Sequence, residues 1–109
     1  MLESSIEKLT QNYIKHLIIN GINPEKVILY GSYANNTQQK DSDIDMMLIS
    51  DSFDTDNDKQ IGYIWRISKS FDYRIEPYIV NRQRFENDDI SPIIQIVKQN
   101  GIAINYEVK

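Results

Sequence analysis

Two runs of consecutive apolar residues, Val27-Ile28-Leu29-Tyr30 and Met46-Met47-Leu48-Ile49, constrain this chain more than any other feature. A strand with one face in water alternates apolar and polar residues, so an unbroken run of strand length needs cover on both faces. Both runs therefore predict internal strands. The first is followed at once by Gly31-Ser32. The second is preceded by Asp43-Ile44-Asp45, after a gap of ten residues, 33–42. A Gly-Ser turn thus ends one buried strand and two acids open the next, which suits a phosphate and a divalent metal held side by side.

The rest of the chain supplies the cover. Leu2, Ile6, Leu9, Tyr13 and Leu17 recur every three or four residues and predict a helix closing at Asn20-Gly21, with a glycine where a left-handed cap would sit. His16, the sole histidine, lies beside that stripe without a second ligand and reads as an ordinary helix residue. Ser32 to Asn36 has room for one helical turn, and 37–42 is a polar loop. Asp54, Asp56 and Asp58 have the alternate spacing of a calcium loop. Lys59 and Trp65 stand where such a loop needs its glycine and bidentate glutamate, so the segment reads as a solvated loop that caps the next helix.

Ile61, Ile64, Trp65 and Ser68 mark that helix, to about Ser70. Tyr73 to Val80 predicts a third strand, with Ile75, Pro77 and Ile79 on one face and Arg74, Glu76, Tyr78 and Val80 on the other. Pro77 cannot donate a ladder hydrogen bond, which favours an edge position or a local irregularity. Ser91-Pro92 starts a last helix that Gly101 closes, and Ile102 to Val108 is a tail with a short strand. The order α-β-β-α-β-α describes a compact α/β domain, α+β-like, spanning 1–109 as a single unit, with its polar cluster at one end of the strands.

Composition narrows the function. A formal net charge of -4 argues against sequence-independent DNA or RNA binding, which needs Lys and Arg to replace phosphate counterions. The absence of cysteine removes disulfides, cysteine zinc sites and a thiol nucleophile together. Met1 to Ser5 has neither the basic start nor the apolar core of a signal peptide, and the longest apolar runs fall far short of the ~20 residues of a membrane helix. A cytoplasmic domain without membrane contact is expected.

Residues two apart in a strand project from the same face, roughly 6–7 Å apart, so Asp43 and Asp45 converge while Ile44 turns away. Paired carboxylates repel, and Mg²⁺ relieves that by combining one or two carboxylates with waters and substrate phosphates. The alternative is that both acids merely mark the solvated start of a strand. Gly31 and Ser32 favour the site. Glycine permits positive φ and close approach to a ligand, and the Ser32 amide and hydroxyl can meet phosphate oxygens at the start of a turn.

The segment Gly31-Ser32-Tyr33-Ala34 through Ser42-Asp43-Ile44-Asp45-Met46 resembles the signature of the DNA polymerase β-like nucleotidyltransferase superfamily. It is most similar to the minimal nucleotidyltransferase (MNT) proteins, and its gap matches MntA-type antitoxins that pair with HEPN-domain toxins. The resemblance implies a nucleotidyltransferase fold with a mixed sheet flanked by helices, ATP as substrate, Mg²⁺ (two ions) as cofactor, and AMP transfer as the reaction. Many relatives carry a basic-Gly pair where this chain has Asn35-Asn36. Asn36 tolerates a left-handed conformation, and Lys40 is a stand-in for the missing basic phosphate contact.

Such enzymes place a third acid, usually Asp, on a neighbouring strand. Glu76 is the choice here, and Asp72, of the same strand parity, remains open beside it; a salt bridge to Arg74 is the structural alternative for either. By the same resemblance, Asp43, Asp45 and Glu76 hold the metals and Glu76 assists as base, while Gly31, Ser32 and Lys40 hold the nucleotide. The expected activity is AMPylation of a partner, a HEPN-type helical toxin, by an antitoxin. Two alternatives stand: a non-catalytic antitoxin that neutralises its partner by contact, and a small-molecule nucleotidyltransferase of the antibiotic-modifying kind.

Overall fold

The computed structural model describes residues 4–106, so Leu2 of the predicted first stripe and the end of the predicted tail, 107–108, lie outside the described residues. Helix α1 (Ser4–Ile19) buries Ile6, Tyr13, Ile14 and Leu17. It closes through Gly21 at φ +83°, with the Gly21 amide on Ile18 O (3.0 Å) and the Ile22 amide on Leu17 O (2.9 Å), the paired bonds of a left-handed cap.

Strand β1 (Lys26–Tyr30) pairs antiparallel with β2 (Ile44–Ser50), and β2 pairs parallel with β3 (Ile75–Asn81) after the crossover helix α2 (Asp58–Phe71). Two short helices follow, α3 (Arg82–Asn87) and α4 (Pro92–Asn100), and then β4 (Ile102–Ala103), which returns antiparallel to β1. The strand order is β3-β2-β1-β4. Both apolar runs are therefore internal, as their continuous hydrophobicity requires. The Pro77 strand is at an edge, where its missing N–H faces no neighbour.

Alternation along each strand feeds two cores. Val27 and Leu29 of β1, Ile44, Met46 and Leu48 of β2, and Ile75 and Ile79 of β3 pack against α1 and α2. Ile28, Met47, Ile49 and Val80 point the other way and meet Phe85 of α3 with Ile94 and Val97 of α4. A mixed sheet with helices on both faces is the expected fold class.

Two local expectations need correction. Strand β3 begins at Ile75, because Asp72 ends α2 and residues 73–74 turn between them. Helix α3 was not anticipated; its signal is Asn81, whose side chain accepts from the Gln83 amide (2.9 Å) and caps the helix. Trp65, one of the residues that mark α2, is 38% exposed, with Lys69 Nζ over its ring. In the acidic loop the helix cap is Asn57, which accepts from the Gln60 amide (3.1 Å). No helix among the described residues is long and apolar enough to cross a membrane.

Candidate active site

The period-two geometry of β2 sends Ile44 fully into the first core and Asp45 to the opposite face, half-buried. Asp45 lies opposite Tyr30 on β1 and opposite Glu76 on β3. One level further along the same face, Met47 lies between Ile28 and Tyr78 and belongs to the second core. The acids thus occupy the rim of that core, with Tyr30, Asp45 and Glu76 forming one row across three strands. Asp43 precedes β2 and is exposed.

The Gly-Ser turn is folded against this row. Gly31 leaves β1 at φ +75°, and a Cβ placed there would collide with the Asp45 carboxylate, Oδ2 first. Glycine is required twice over, by the dihedral and by the approach to the acid. Gly31–Tyr33 makes a single 3-10 turn, with the Ala34 and Asn35 amides on Gly31 O (3.1 Å each) and the Thr37 amide on Ser32 O (3.0 Å). The leading N–H groups of such a turn have no acceptor within it. Asn36 sits at φ +56°, the one non-glycine residue with positive φ among the described residues.

The electrostatics follow from crowding. Burial raises the Asp45 carboxyl above its ordinary range, and the charges of Asp43 and Glu76 push it further. Tyr30 is pushed up to about 12, first by burial and then by the Asp45 charge, so its phenol keeps its proton. Three acids therefore act on one another across the strand ends, on one face of the sheet.

The two candidates for the third acid part company. Glu76 faces Asp45 across the parallel ladder, and its carboxylate accepts from Lys69 Nζ at 2.8 Å. Asp72 is the C-terminal cap of α2 and not a strand residue, so the expectation of shared strand parity fails. Arg74 grips it with Nε on Oδ1 (3.1 Å) and Nη2 on Oδ2 (2.8 Å), and the Arg74 amide also donates to Oδ1 (2.9 Å). These bonds hold the Asp72 carboxyl below the usual range. Arg74 thus pairs with Asp72 and not with Glu76, and its Nη1 reaches Tyr33 OH at 3.5 Å, tying the start of β3 to the Gly-Ser turn.

Lys40 is exposed on its loop and lines a cleft of about 560 Å³ together with Lys69, Asp72 and Arg74. That cleft adjoins Glu76 through Lys69. Among the described residues no three acid or histidine side chains are gathered into a set that could hold a metal ion. Sequence reasoning missed Lys69 and Tyr30. The signal for Lys69 was its place in the last turn of the helix feeding β3, and for Tyr30 its position immediately before Gly31.

The sequence pattern of the nucleotidyltransferase domain family matches residues 12–104, which span both internal strands, the Gly-Ser turn, both aspartates and Glu76. The chain belongs to this family. Its nucleotidyltransferase domain is similar in fold to a protein solved as a toxin-antitoxin with AMP-PNP: TM-score 0.60 at 21% identity, covering 93% of this chain and 73% of that one. It is also similar to a Sulfolobus solfataricus protein described as a candidate nucleotidyltransferase: TM-score 0.60 at 15% identity, covering 89% of this chain and 77% of that one. No curated protein sequence matches it. At these identities the two likenesses establish the nucleotidyltransferase fold, and the family match establishes the kind of reaction, nucleotidyl transfer.

Proposed function

We propose that this nucleotidyltransferase domain moves AMP from ATP to a hydroxyl on a partner protein, as an antitoxin that adenylylates a HEPN-type toxin. The observation that carries the reading is the row formed by Asp45 and Glu76, with Asp43 before it and Gly31 folded against Asp45. The toxin-antitoxin of similar fold, crystallised with a nucleotide analogue, supports both the nucleotide and the protein partner.

The donor set fits a hard divalent cation, since Asp43, Asp45 and Glu76 offer carboxylate oxygens alone and their mutual repulsion calls for positive charge. Two Mg²⁺ ions held by these three residues would supply charge neutralisation of the triphosphate and a lowered pKa for the acceptor hydroxyl. The chain's own residues do the rest. Gly31 and Ser32 present turn amides and a hydroxyl to the β- and γ-phosphates, and Lys40 adds a cation from the loop. The acceptor oxygen attacks the α-phosphorus in line, the bond from that phosphorus to the β-bridging oxygen breaks, and pyrophosphate departs with the electron pair. Glu76 takes the acceptor's proton. Tyr30, still protonated, lies opposite Asp45 on β1 and adds no negative charge to the row. Positioning and charge neutralisation supply most of the acceleration.

The test incubates the chain with ATP, Mg²⁺ and the product of the neighbouring gene, and reads intact masses. The native chain adds an AMP-sized increment to the partner; Asp43→Asn and Asp45→Asn add none. Inhibition of the partner that survives both substitutions, without an adduct, would replace transfer by neutralisation through contact.

A further inference from the structure

Of the three acids of the proposed site, Glu76 alone already has a cationic partner among the described residues. Glu76 is held by Lys69, Nζ to Oε1 2.8 Å, an ion pair left about one-third exposed on each side. Lys69 is itself placed by its helix and by two neighbours. It sits in the last turn of α2, donates to the Tyr73 carbonyl (3.1 Å), and lies over the Trp65 ring at 5.2 Å. The Tyr73 carbonyl belongs to the turn that leads α2 into β3, so the lysine and the glutamate are fixed by the same short connection. Lys69 also lines the 560 Å³ cleft that carries Lys40 and Arg74.

We propose that Lys69 is a positioning residue for this site: it acts as the resident counter-cation of Glu76, and a divalent cation must displace it to gain the third carboxylate. The inference rests on the reading of Asp43, Asp45 and Glu76 as one site. Displacement leaves the ammonium group anchored by Tyr73 and Trp65 at the edge of the cleft, next to Lys40, with its charge turned from the carboxylate to whatever anion enters. Arg74 cannot take over the pairing with Glu76, because Asp72 occupies both of its donor groups on that side. Lys69 therefore sets a threshold: Asp43 and Asp45 bind the cation alone until its charge, reinforced by the substrate phosphates, outcompetes the lysine at Glu76.

The experiment measures Mn²⁺ binding to the nucleotide-free chain by calorimetry, which needs no turnover. Lys69→Met keeps an unbranched side chain of similar length and removes the charge. It is expected to tighten Mn²⁺ binding about fivefold, the scale of one partly exposed ion pair. Lys69→Arg, which preserves the pair, should bind as the native chain does. In a Glu76→Gln background the same Lys69→Met change should alter Mn²⁺ affinity by less than about twofold, since the pair is already gone. An unchanged affinity in Lys69→Met, or equal tightening with and without Glu76, would overturn the proposal while leaving the site reading intact. A native chain that binds no Mn²⁺ would overturn the site reading, and this inference with it.

Discussion

At the scale of single residues, the account turns on which carboxylates do chemistry. Asp72 and Glu76 are four positions apart and equally acidic in sequence, but one closes a helix under Arg74 and the other faces Asp45. Glu76→Gln should therefore reduce transfer by at least about a hundredfold, the scale of a lost general base. Asp72→Asn should keep most of the activity and cost only about 0.5–1 kcal/mol of stability, as a partly exposed ion pair does; steady-state assays and urea unfolding separate the two outcomes. Asp45 gives a prediction of opposite sign for stability. Its folded-state pKa is raised, so the folded chain binds that proton more tightly than the unfolded chain does. Its contribution is favourable below the ordinary carboxylate range and is lost as pH rises through the raised pKa. At pH 7 without metal the ionised Asp45 is a strain on the fold, and Asp45→Asn should raise the melting temperature by a few degrees while abolishing transfer. The gain should vanish near pH 3, where the native carboxyl is protonated in both states.

At the scale of elements, α1 and α2 are joined by a buried hydrogen bond, Tyr13 OH to Ser68 Oγ at 2.6 Å, from a tyrosine of the first core. Tyr13→Phe should cost about 1 kcal/mol in chemical denaturation and leave nucleotide binding unchanged, because the bond lies on the far side of the sheet from the acids. The element scale also shows where the sequence was legible. Val27 to Tyr30 and Met46 to Ile49 announced internal strands because no one-sided strand is apolar at every position, and Pro77 announced an edge because it lacks a donor. Gly31 and Asn36 were readable as left-handed positions from residue chemistry alone. The start of β3 was not readable: Tyr73 and Arg74 continue the strand pattern, and only the capping of α2 by Asp72 places them in a turn. Helix α3 was hidden by its brevity, six residues with a single buried apolar side chain, Phe85. The Lys69–Glu76 pair was hidden because it joins the end of a helix to the following strand, a distance that depends on how tightly the connection turns.

At the scale of the whole molecule, the antiparallel and parallel ladders of β2 do the organising. The antiparallel ladder brings the Gly-Ser end of β1 to the acidic start of β2, and the parallel ladder brings Glu76 level with Asp45. The helices cover both faces of this sheet, α1 and α2 on one and α3 and α4 on the other. The central claim is that this framework transfers the nucleotidyl group and not the terminal phosphate. It is tested most directly by giving the chain and its partner ATP labelled at either the α- or the γ-phosphorus, with Mg²⁺, and following label on the partner. The account predicts labelling from α-labelled ATP alone, lost in Asp43→Asn and in Glu76→Gln; labelling from γ-labelled ATP, or equal α-labelling by Asp43→Asn, would contradict it.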